Sequence, residues 1–237
     1  MATLVDDHLA PTLVLLPGLD GTGILFRRFI EAIGASVDTQ IVAYPADQPM
    51  NYGELETRVR EALPKDRPYV VLGESFSGPI AIRLGANPPA GLMGLILCVT
   101  FAKNPYPLLG WAGMLVRTFP VHALPNWVRA PFLWGAAATE RTQLESELAT
   151  AVIGHKVLRH RVASVLGVDD TITLGGIRMP TLVLQASHDR VVPGTATEHI
   201  MRTLPTAELV QIRGPHMLLQ IRAAECASVV GRFIEAL

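Results

Sequence analysis

The sequence has few charged residues and few cysteines. Charged residues make up 17% of the 237-residue chain, and 20 basic and 21 acidic side chains leave a net charge of −1. Nucleic-acid binding needs concentrated positive charge that releases counterions, so the lack of a basic stripe argues against a nucleic-acid partner. Cys98 and Cys226 give neither a disulfide framework nor a metal-binding spacing. We expect both to be buried, and we predict no metal and no cofactor.

The sequence also lacks a segment that would insert into a membrane. The first ten residues contain Asp6 and Asp7 but no Lys or Arg, whereas a secretory signal starts with positive charge and continues as an apolar run. The longest apolar stretch, near Leu92–Ala102, is far shorter than the ~20 residues that cross a bilayer. We therefore expect a cytoplasmic protein without stable membrane insertion, and the oligomeric state stays open.

Apolar residues are abundant, at 49% of the chain, and they recur in a regular order. Runs rich in Val, Ile and Leu predict strands at Thr12–Leu16, Gln40–Ala43, Tyr69–Leu72, Leu95–Val99, Thr181–Leu184 and Leu209–Ile212. Apolar spacing of about 3.6 residues predicts helices at Phe26–Ile33, Tyr52–Leu63, Pro79–Ala86, Thr195–Leu204 and Ala223–Ala236. The alternation predicts an α/β protein with a mainly parallel, doubly wound sheet of about six strands flanked by helices.

One stretch departs from this alternation. From 101 to 176 we predict no strand, and residues 139–167 have a helical pattern. So long a departure between two strands favours an inserted helical cap over a loose loop. The predicted domains are therefore a core of residues 1–100 and 177–237 and a helical cap of residues 101–176. The alternative is a set of ordinary surface helices.

The segment Gly73-Glu74-Ser75-Phe76-Ser77-Gly78 follows one predicted strand and opens the next predicted helix. A sharp strand-to-helix turn lifts a serine hydroxyl clear of the sheet, and it requires small residues two positions away on each side. In the G-x-S-x-G pattern the last position is glycine, and here it is Ser77, which is also small. Pro79 is acceptable in the first turn of a helix.

Three further motifs each follow a predicted strand. Leu15-Leu16-Pro17-Gly18-Leu19-Asp20-Gly21-Thr22-Gly23 is a glycine-rich loop that lacks both G-x-G-x-x-G and the G-K-[ST] ending of a nucleotide-binding loop. Asp189 follows the strand Thr181–Leu184 and precedes a helix start marked by Pro193. His216 lies in Gly214-Pro215-His216-Met217, just after the last predicted strand. The order Ser75, Asp189, His216 differs from that of two unrelated classes of serine protease.

These four segments resemble the nucleophile elbow, oxyanion loop, acid loop and histidine loop of the α/β-hydrolase family. The resemblance covers almost the whole chain outside residues 101–176. It implies that Ser75 is the nucleophile, that His216 is its base, and that Asp189 orients the imidazole. It also implies an oxyanion hole formed by the N–H groups of Leu19 and Phe76. Asp20 is the next candidate for the first of these donors.

Each catalytic assignment has a simpler alternative. Ser75 could be a helix N-cap, a position that serine favours. The sole role of Asp189 could be to cap the helix that follows it. His216 could be an ordinary loop histidine, because the chain contains seven histidines. The three assignments support one another, because all three residues follow strands and the carboxyl ends of parallel strands form one edge.

The predicted substrate-binding residues are Asp20, Met217 and three tryptophans of the cap, Trp111, Trp127 and Trp134. If part of the apolar cap faces Ser75, the pocket suits an acyl chain or an aromatic group. An equally weighted alternative is that these side chains only pack the cap onto the core.

The leading functional hypothesis is hydrolysis of a carboxylic ester with a small to medium acyl chain, through an acyl-enzyme at Ser75. A thioesterase or a lipid acyltransferase would use the same residues, and the loop after the first strand resembles loops of some plastid lipid acyltransferases. A second class of hypothesis is a non-catalytic ligand receptor on the same fold.

Overall fold

The computed structural model describes residues 10–107 and 126–237, without the side chains of residues 126–129 and 143. Its strands are β1 (Thr12–Leu16), β2 (Thr39–Ile41), β3 (Tyr69–Glu74), β4 (Leu92–Cys98), β5 (Thr181–Ala186) and β6 (Glu208–Ile212). Its helices are α1 (Arg27–Ile33), α2 (Tyr52–Ala62), α3 (Gly78–Ala86), α4 (Asn126–Leu133), α5 (Glu140–Ala151), α6 (His155–Gly167), α7 (Thr171–Leu174), α8 (Gly194–Thr203), α9 (Leu218–Ile221) and α10 (Ala223–Glu235). The predicted strands and helices outside residues 101–176 are present, with ends that agree to within three residues.

The six strands form one sheet in the order β2-β1-β3-β4-β5-β6, and every pair is parallel. This confirms the predicted α/β class and the doubly wound sheet. The central strands β1 and β3 are buried along their whole length, as consecutive apolar residues predict for strands covered on both faces. The edge strands differ, because Glu208 and Leu209 of β6 are exposed.

Two apolar clusters cover the two faces of the sheet. Alternate residues of β1 point into different clusters, Val14 and Leu16 into one and Leu13 and Leu15 into the other. The first cluster also contains buried side chains of α2, α3 and α8, and the second contains those of α1, α9 and α10. Helices on both faces leave the carboxyl edge of the sheet open for loops, where sites of open α/β sheets lie.

The helices α4 to α7, here called the intervening helices, lie between β4 and β5. The helical stretch predicted over residues 139–167 is divided into α5 and α6, because α5 ends near Val152 and Gly154 caps the start of α6. In the described part of residues 101–176 the only strand-like pairing is an isolated antiparallel bridge between Lys103 and Asp169. That this segment is a separate cap stays a prediction.

Both cysteines are buried, as predicted, and neither forms a disulfide. Burial raises the pKa of the Cys98 thiol well above its ordinary range. Within residues 10–107 and 126–237, no helix has the length and apolar character needed to cross a membrane.

Candidate active site

Ser75 lies in a sharp turn between β3 and α3, and its backbone has a φ of +49°. A non-glycine residue rarely adopts this left-handed region, so the surrounding structure has to hold it there. A Cβ on Gly73 would lie 2.8 Å from the Ser77 carbonyl oxygen, and one on Gly78 would lie 1.9 Å from Thr100 Oγ1. Thr100 in turn donates a hydrogen bond to the carbonyl of Ser75. Both glycines are therefore required by the turn.

Ser77 occupies the position where the G-x-S-x-G pattern has glycine, and its hydroxyl forms two hydrogen bonds. The Ser77 hydroxyl donates to the carbonyl of Pro17. The Tyr44 hydroxyl lies 2.6 Å from Ser77 Oγ and acts as the donor in that pair. The departure from the pattern thus joins the serine turn to the glycine-rich loop after β1.

Ser75, His216 and Asp189 form a continuous chain of hydrogen bonds. Ser75 Oγ lies 3.0 Å from His216 Nε2, and His216 Nδ1 lies 2.8 Å from Asp189 Oδ2. A carboxylate only accepts hydrogen bonds, so the Nδ1–H donates to Asp189 and leaves Nε2 free to accept the serine proton. The structure therefore brings together the three residues that the sequence placed after three separate strands.

The Asp189 carboxylate is fixed on its other side. Its Oδ1 accepts the N–H groups of Val191 and Val192, both at 2.8 Å. The His188 N–H donates to the Gly214 carbonyl at 3.0 Å, which ties the aspartate loop to the histidine loop. Asp189 thus fixes the turn before α8 and contacts the imidazole, but it does not cap α8, whose N-cap is Pro193.

The glycine-rich loop lies directly over the serine turn. The Cβ position of Gly18 is 3.9 Å from Ser75 Cβ and 3.6 Å from Glu74 Oε2. Phe76 is buried, its carbonyl accepts a hydrogen bond from Tyr52 at 3.0 Å, and its ring stacks on the Tyr52 ring at 4.9 Å. Leu19 and Phe76 therefore lie in the two backbone segments that meet at Ser75. Their N–H groups stay a predicted oxyanion hole.

The other predicted binding residues lie in two places. The Asp20 carboxylate accepts the N–H of Thr22 at 2.9 Å and its hydroxyl at 2.6 Å, so it shapes the loop. Trp134 and Met217 are buried in one small cluster, in which α4 packs onto the histidine loop. Trp111 and the side chain of Trp127 lie outside the described residues. Substrate binding by all five stays a prediction.

Sequence reasoning missed two charged groups beside this site, Glu74 and Arg161. Burial raises the pKa of Glu74 to about 7, while a hydrogen bond donated by Gln220 at 3.0 Å acts in the opposite direction. Arg161 is 2% exposed, and burial lowers the pKa of its guanidinium. Glu74 lies in the motif Gly73–Gly78, but its position in the pattern accepts any residue type, so the sequence assigned it no role. Arg161 has no sequence signal, because it is one of several basic residues of α6.

Together, a parallel sheet with helices on both faces and a serine turn after β3 define an α/β-hydrolase. The histidine that contacts Ser75 follows β6, and the aspartate that contacts this histidine follows β5, which is the arrangement of that class. A family model described as "Serine aminopeptidase, S33" matches residues 51–217, a range that contains Ser75, Asp189 and His216. The chain belongs to this family of α/β-hydrolases, and it is a hydrolase.

Known proteins agree with this assignment. The chain is 28% identical to the "Putative carbamate hydrolase RutD" of Rhizobium rhizogenes, over 96% of this chain and 94% of that protein. It resembles the structure of a hydrolase from Oleispira antarctica with a TM-score of 0.80 and 15% identity, over 95% and 91% of the two chains. An esterase from Exiguobacterium antarcticum gives a TM-score of 0.79 and 13% identity, over 95% and 92%. At these identities the two structures support the fold alone.

Proposed function

We propose that this hydrolase cleaves a carboxylic ester of small to medium acyl chain through an acyl-enzyme at Ser75. The observation that carries the proposal is the hydrogen-bonded chain Ser75–His216–Asp189, with distances of 3.0 and 2.8 Å. A serine hydroxyl is a weak nucleophile until a base removes its proton, and this geometry places an imidazole nitrogen at the hydroxyl.

The proposed reaction has two halves. Ser75 Oγ attacks the carbonyl carbon of the ester while its proton passes to His216 Nε2, and Asp189 stabilises the imidazolium that forms. The tetrahedral intermediate collapses, the carbon–oxygen bond to the alcohol breaks, and His216 returns the proton to the leaving alkoxide. Water then attacks the acyl-enzyme, with His216 as base, and releases the carboxylic acid and free Ser75.

Negative charge develops on the former carbonyl oxygen in both halves. The N–H groups of Leu19 and Phe76 are the proposed donors to this oxygen. Removal of one such donor typically lowers kcat about 10²–10³-fold. The support for these two residues is that the loop containing Leu19 lies against the serine turn that contains Phe76.

Carbamate hydrolysis is a second candidate, supported by the similarity of the full chain to the RutD protein. A carbamate has the same carbonyl centre as an ester, with nitrogen in place of one carbon substituent. The proposed nucleophile and donors would serve either substrate, so the two candidates differ in the pocket rather than in Ser75, His216 and Asp189.

The test compares p-nitrophenyl esters from acetate to palmitate with a p-nitrophenyl carbamate, using wild type and Ser75→Ala. We expect ester turnover that the Ser75→Ala variant lacks, with an optimum at a short or medium acyl chain. Faster turnover of the carbamate would favour the second candidate.

Absence of turnover in the folded wild type would contradict both candidates. Thioester substrates and acyl acceptors would then test a thioesterase or an acyltransferase. A failure of Ser75 to react with a fluorophosphonate would favour the non-catalytic receptor.

A further inference from the structure

Arg161 is a buried cation that the proposed reaction does not use. It lies on α6, one of the intervening helices, and its side chain is 2% exposed. A charged group removed from water is costly unless hydrogen bonds replace its hydration. The partners of this guanidinium therefore indicate why the chain holds it there.

Those partners are main-chain carbonyls of the loops around Ser75. Nη1 donates to the carbonyl of Leu19 at 2.9 Å and to that of Asp20 at 2.6 Å, and Nη2 donates to that of Pro45 at 2.9 Å. The guanidinium carbon also lies 5.7 Å from the centre of the Tyr44 ring. Arg161 thus spans the glycine-rich loop and the segment after β2.

The glycine at position 21 makes this contact possible. A Cβ there would lie 2.3 Å from Arg161 Nη1, and the backbone has a φ of +71°. Any side chain at this position would displace the guanidinium and strain the loop. Gly21 and Arg161 are therefore parts of one arrangement, although 140 residues separate them.

We propose that Arg161 is a positioning residue, which holds the Leu19–Asp20 segment of the oxyanion loop in its working orientation. A peptide group is planar, so fixing the Leu19 carbonyl also fixes the N–H of Asp20 in the same plane. Holding two successive carbonyls limits rotation of the backbone at the Asp20 Cα, which joins their two peptide planes, and fixes the plane that follows Leu19. This inference rests on the proposed function only in assigning a reaction to the loop.

The core supplies the complementary contacts to the same loop. The Ser77 hydroxyl holds the carbonyl of Pro17, and the buried Glu74 carboxylate lies beneath Gly18. The first part of the loop is therefore fixed by the serine turn, and the following part by a side chain of an intervening helix. A change in the position of α6 would be transmitted directly to the loop.

A different role for Arg161 would be only to attach α6 to the core. The chain provides a matched control, because Arg28 of α1 donates to Glu145 of α5 at 3.1 Å and also links the core to an intervening helix. Arg28 contacts a carboxylate of α5 and is not bonded to the oxyanion loop. Arg28→Met thus tests attachment, and Arg161→Met tests attachment together with loop orientation.

The experiment measures kcat and KM for a p-nitrophenyl ester in wild type, Arg161→Met, Arg161→Lys and Arg28→Met, each corrected for the fraction of Ser75 that a fluorophosphonate titrates. We expect Arg161→Met to lower kcat about 10–100-fold with little change in KM, because a displaced loop would misalign its N–H groups with the oxyanion of the transition state. Arg161→Lys should recover part of the lost kcat, because lysine keeps the positive charge. The recovery should be incomplete, because an ammonium cannot span three carbonyls. Arg28→Met should keep the wild-type kcat.

Wild-type kcat per titrated site in Arg161→Met would overturn the inference and leave the proposed function intact. If Arg161→Met fails to fold, Arg161→Lys with wild-type kcat would overturn it. If wild type hydrolyses no ester, the proposed function fails, and hydrogen exchange of residues 17–24 decides the inference separately. Faster amide exchange there in the Arg161 variants than in Arg28→Met would support it, and unchanged exchange would overturn it.

Discussion

The carboxyl edge of the sheet and the intervening helices are built in different ways. At the sheet edge, Ser75, Asp189 and His216 each follow a strand, and main-chain hydrogen bonds fix the loops that contain them. The intervening helices contact that edge at a few points, through Arg161, Trp134 and the Leu133 carbonyl, which accepts the Met217 N–H at 3.0 Å. The three proposed catalytic residues thus lie on loops at the sheet edge, and the intervening helices contact the loops around them.

Their surfaces differ as well. Large apolar side chains of the segment between β4 and β5 are exposed at Phe132, Leu144, Leu148, Val152 and Ile172. The residues of β1, by contrast, are buried at every position. The central strand is therefore buried on both faces, and large apolar side chains of the sheet are exposed only at its edge strands, at Ile41 and Leu209. Substitutions on one side at a time separate the contributions of the sheet edge and the intervening helices.

The largest effect is expected on the sheet side, from Asp189→Asn. The amide keeps the size of the carboxylate but cannot stabilise an imidazolium, and its NH₂ group favours the wrong tautomer of His216. We expect kcat to fall by about 10³–10⁴-fold while the melting temperature changes little. Steady-state kinetics with a p-nitrophenyl ester and thermal unfolding would check this. A near-normal kcat would mean that another residue acts as the acid.

An intermediate effect is expected from Glu74→Gln, beneath the glycine-rich loop after β1. The pKa of Glu74 is raised from 4.5 to about 7 by burial, so the folded state holds a proton that the unfolded chain releases. The contribution of Glu74 to the free energy of unfolding of wild type therefore falls as pH rises from 4.5 to 7, by up to about 3 kcal/mol. Glutamine avoids this loss. Relative to wild type, Glu74→Gln should gain about 1–3 kcal/mol between pH ~5 and pH ~8.

Urea unfolding at the two pH values would measure this gain. The matched control is Glu31→Gln, because the Glu31 side chain is 68% exposed and lies 3.9 Å from Arg27 Nε at the surface. A difference between Glu74→Gln and wild type that stays constant with pH would contradict the raised pKa of Glu74. The same change in Glu31→Gln would mean that the effect is not specific to the buried site.

The smallest effect is expected among the intervening helices, from Glu145→Gln. Glu145 accepts hydrogen bonds from Arg27 and Arg28 at 3.0 and 3.1 Å, near the surface. Such ion pairs contribute about 0–1 kcal/mol and are screened by salt. We expect a comparably small fall in the free energy of unfolding and unchanged ester kinetics. A large loss of kcat would show that this contact also acts on the site and would weaken the contrast drawn between Arg161 and Arg28.

The sequence predicted the sheet well because its strands are buried runs with clear limits. Tyr69–Leu72 was correctly placed but ended too early, since Gly73 and Glu74 interrupt the apolar run while the backbone still pairs with β4. In the same way, Val152 to Gly154 carry an apolar pattern through a break between two helices. Local sequence patterns therefore predicted the presence of strands and helices better than the residues at which they end.

The site was predictable only where its residues follow strands. Ser75, Asp189 and His216 have that position in common, and the structure joins them by hydrogen bonds. No comparable sequence feature identifies Arg161, because its contacts depend on how α6 packs over a loop 140 residues earlier in the chain. Glu74 was overlooked because its burial, not its type, changes its pKa.

The central claim, that Ser75 forms an acyl-enzyme, is tested most directly by rapid mixing with p-nitrophenyl acetate followed by acid quenching and peptide mass analysis. We predict a burst of one p-nitrophenol per active protein and an acetyl group on the peptide that contains Ser75. Neither should occur in Ser75→Ala. An acetyl group on another residue, or steady turnover in Ser75→Ala equal to wild type, would contradict the account.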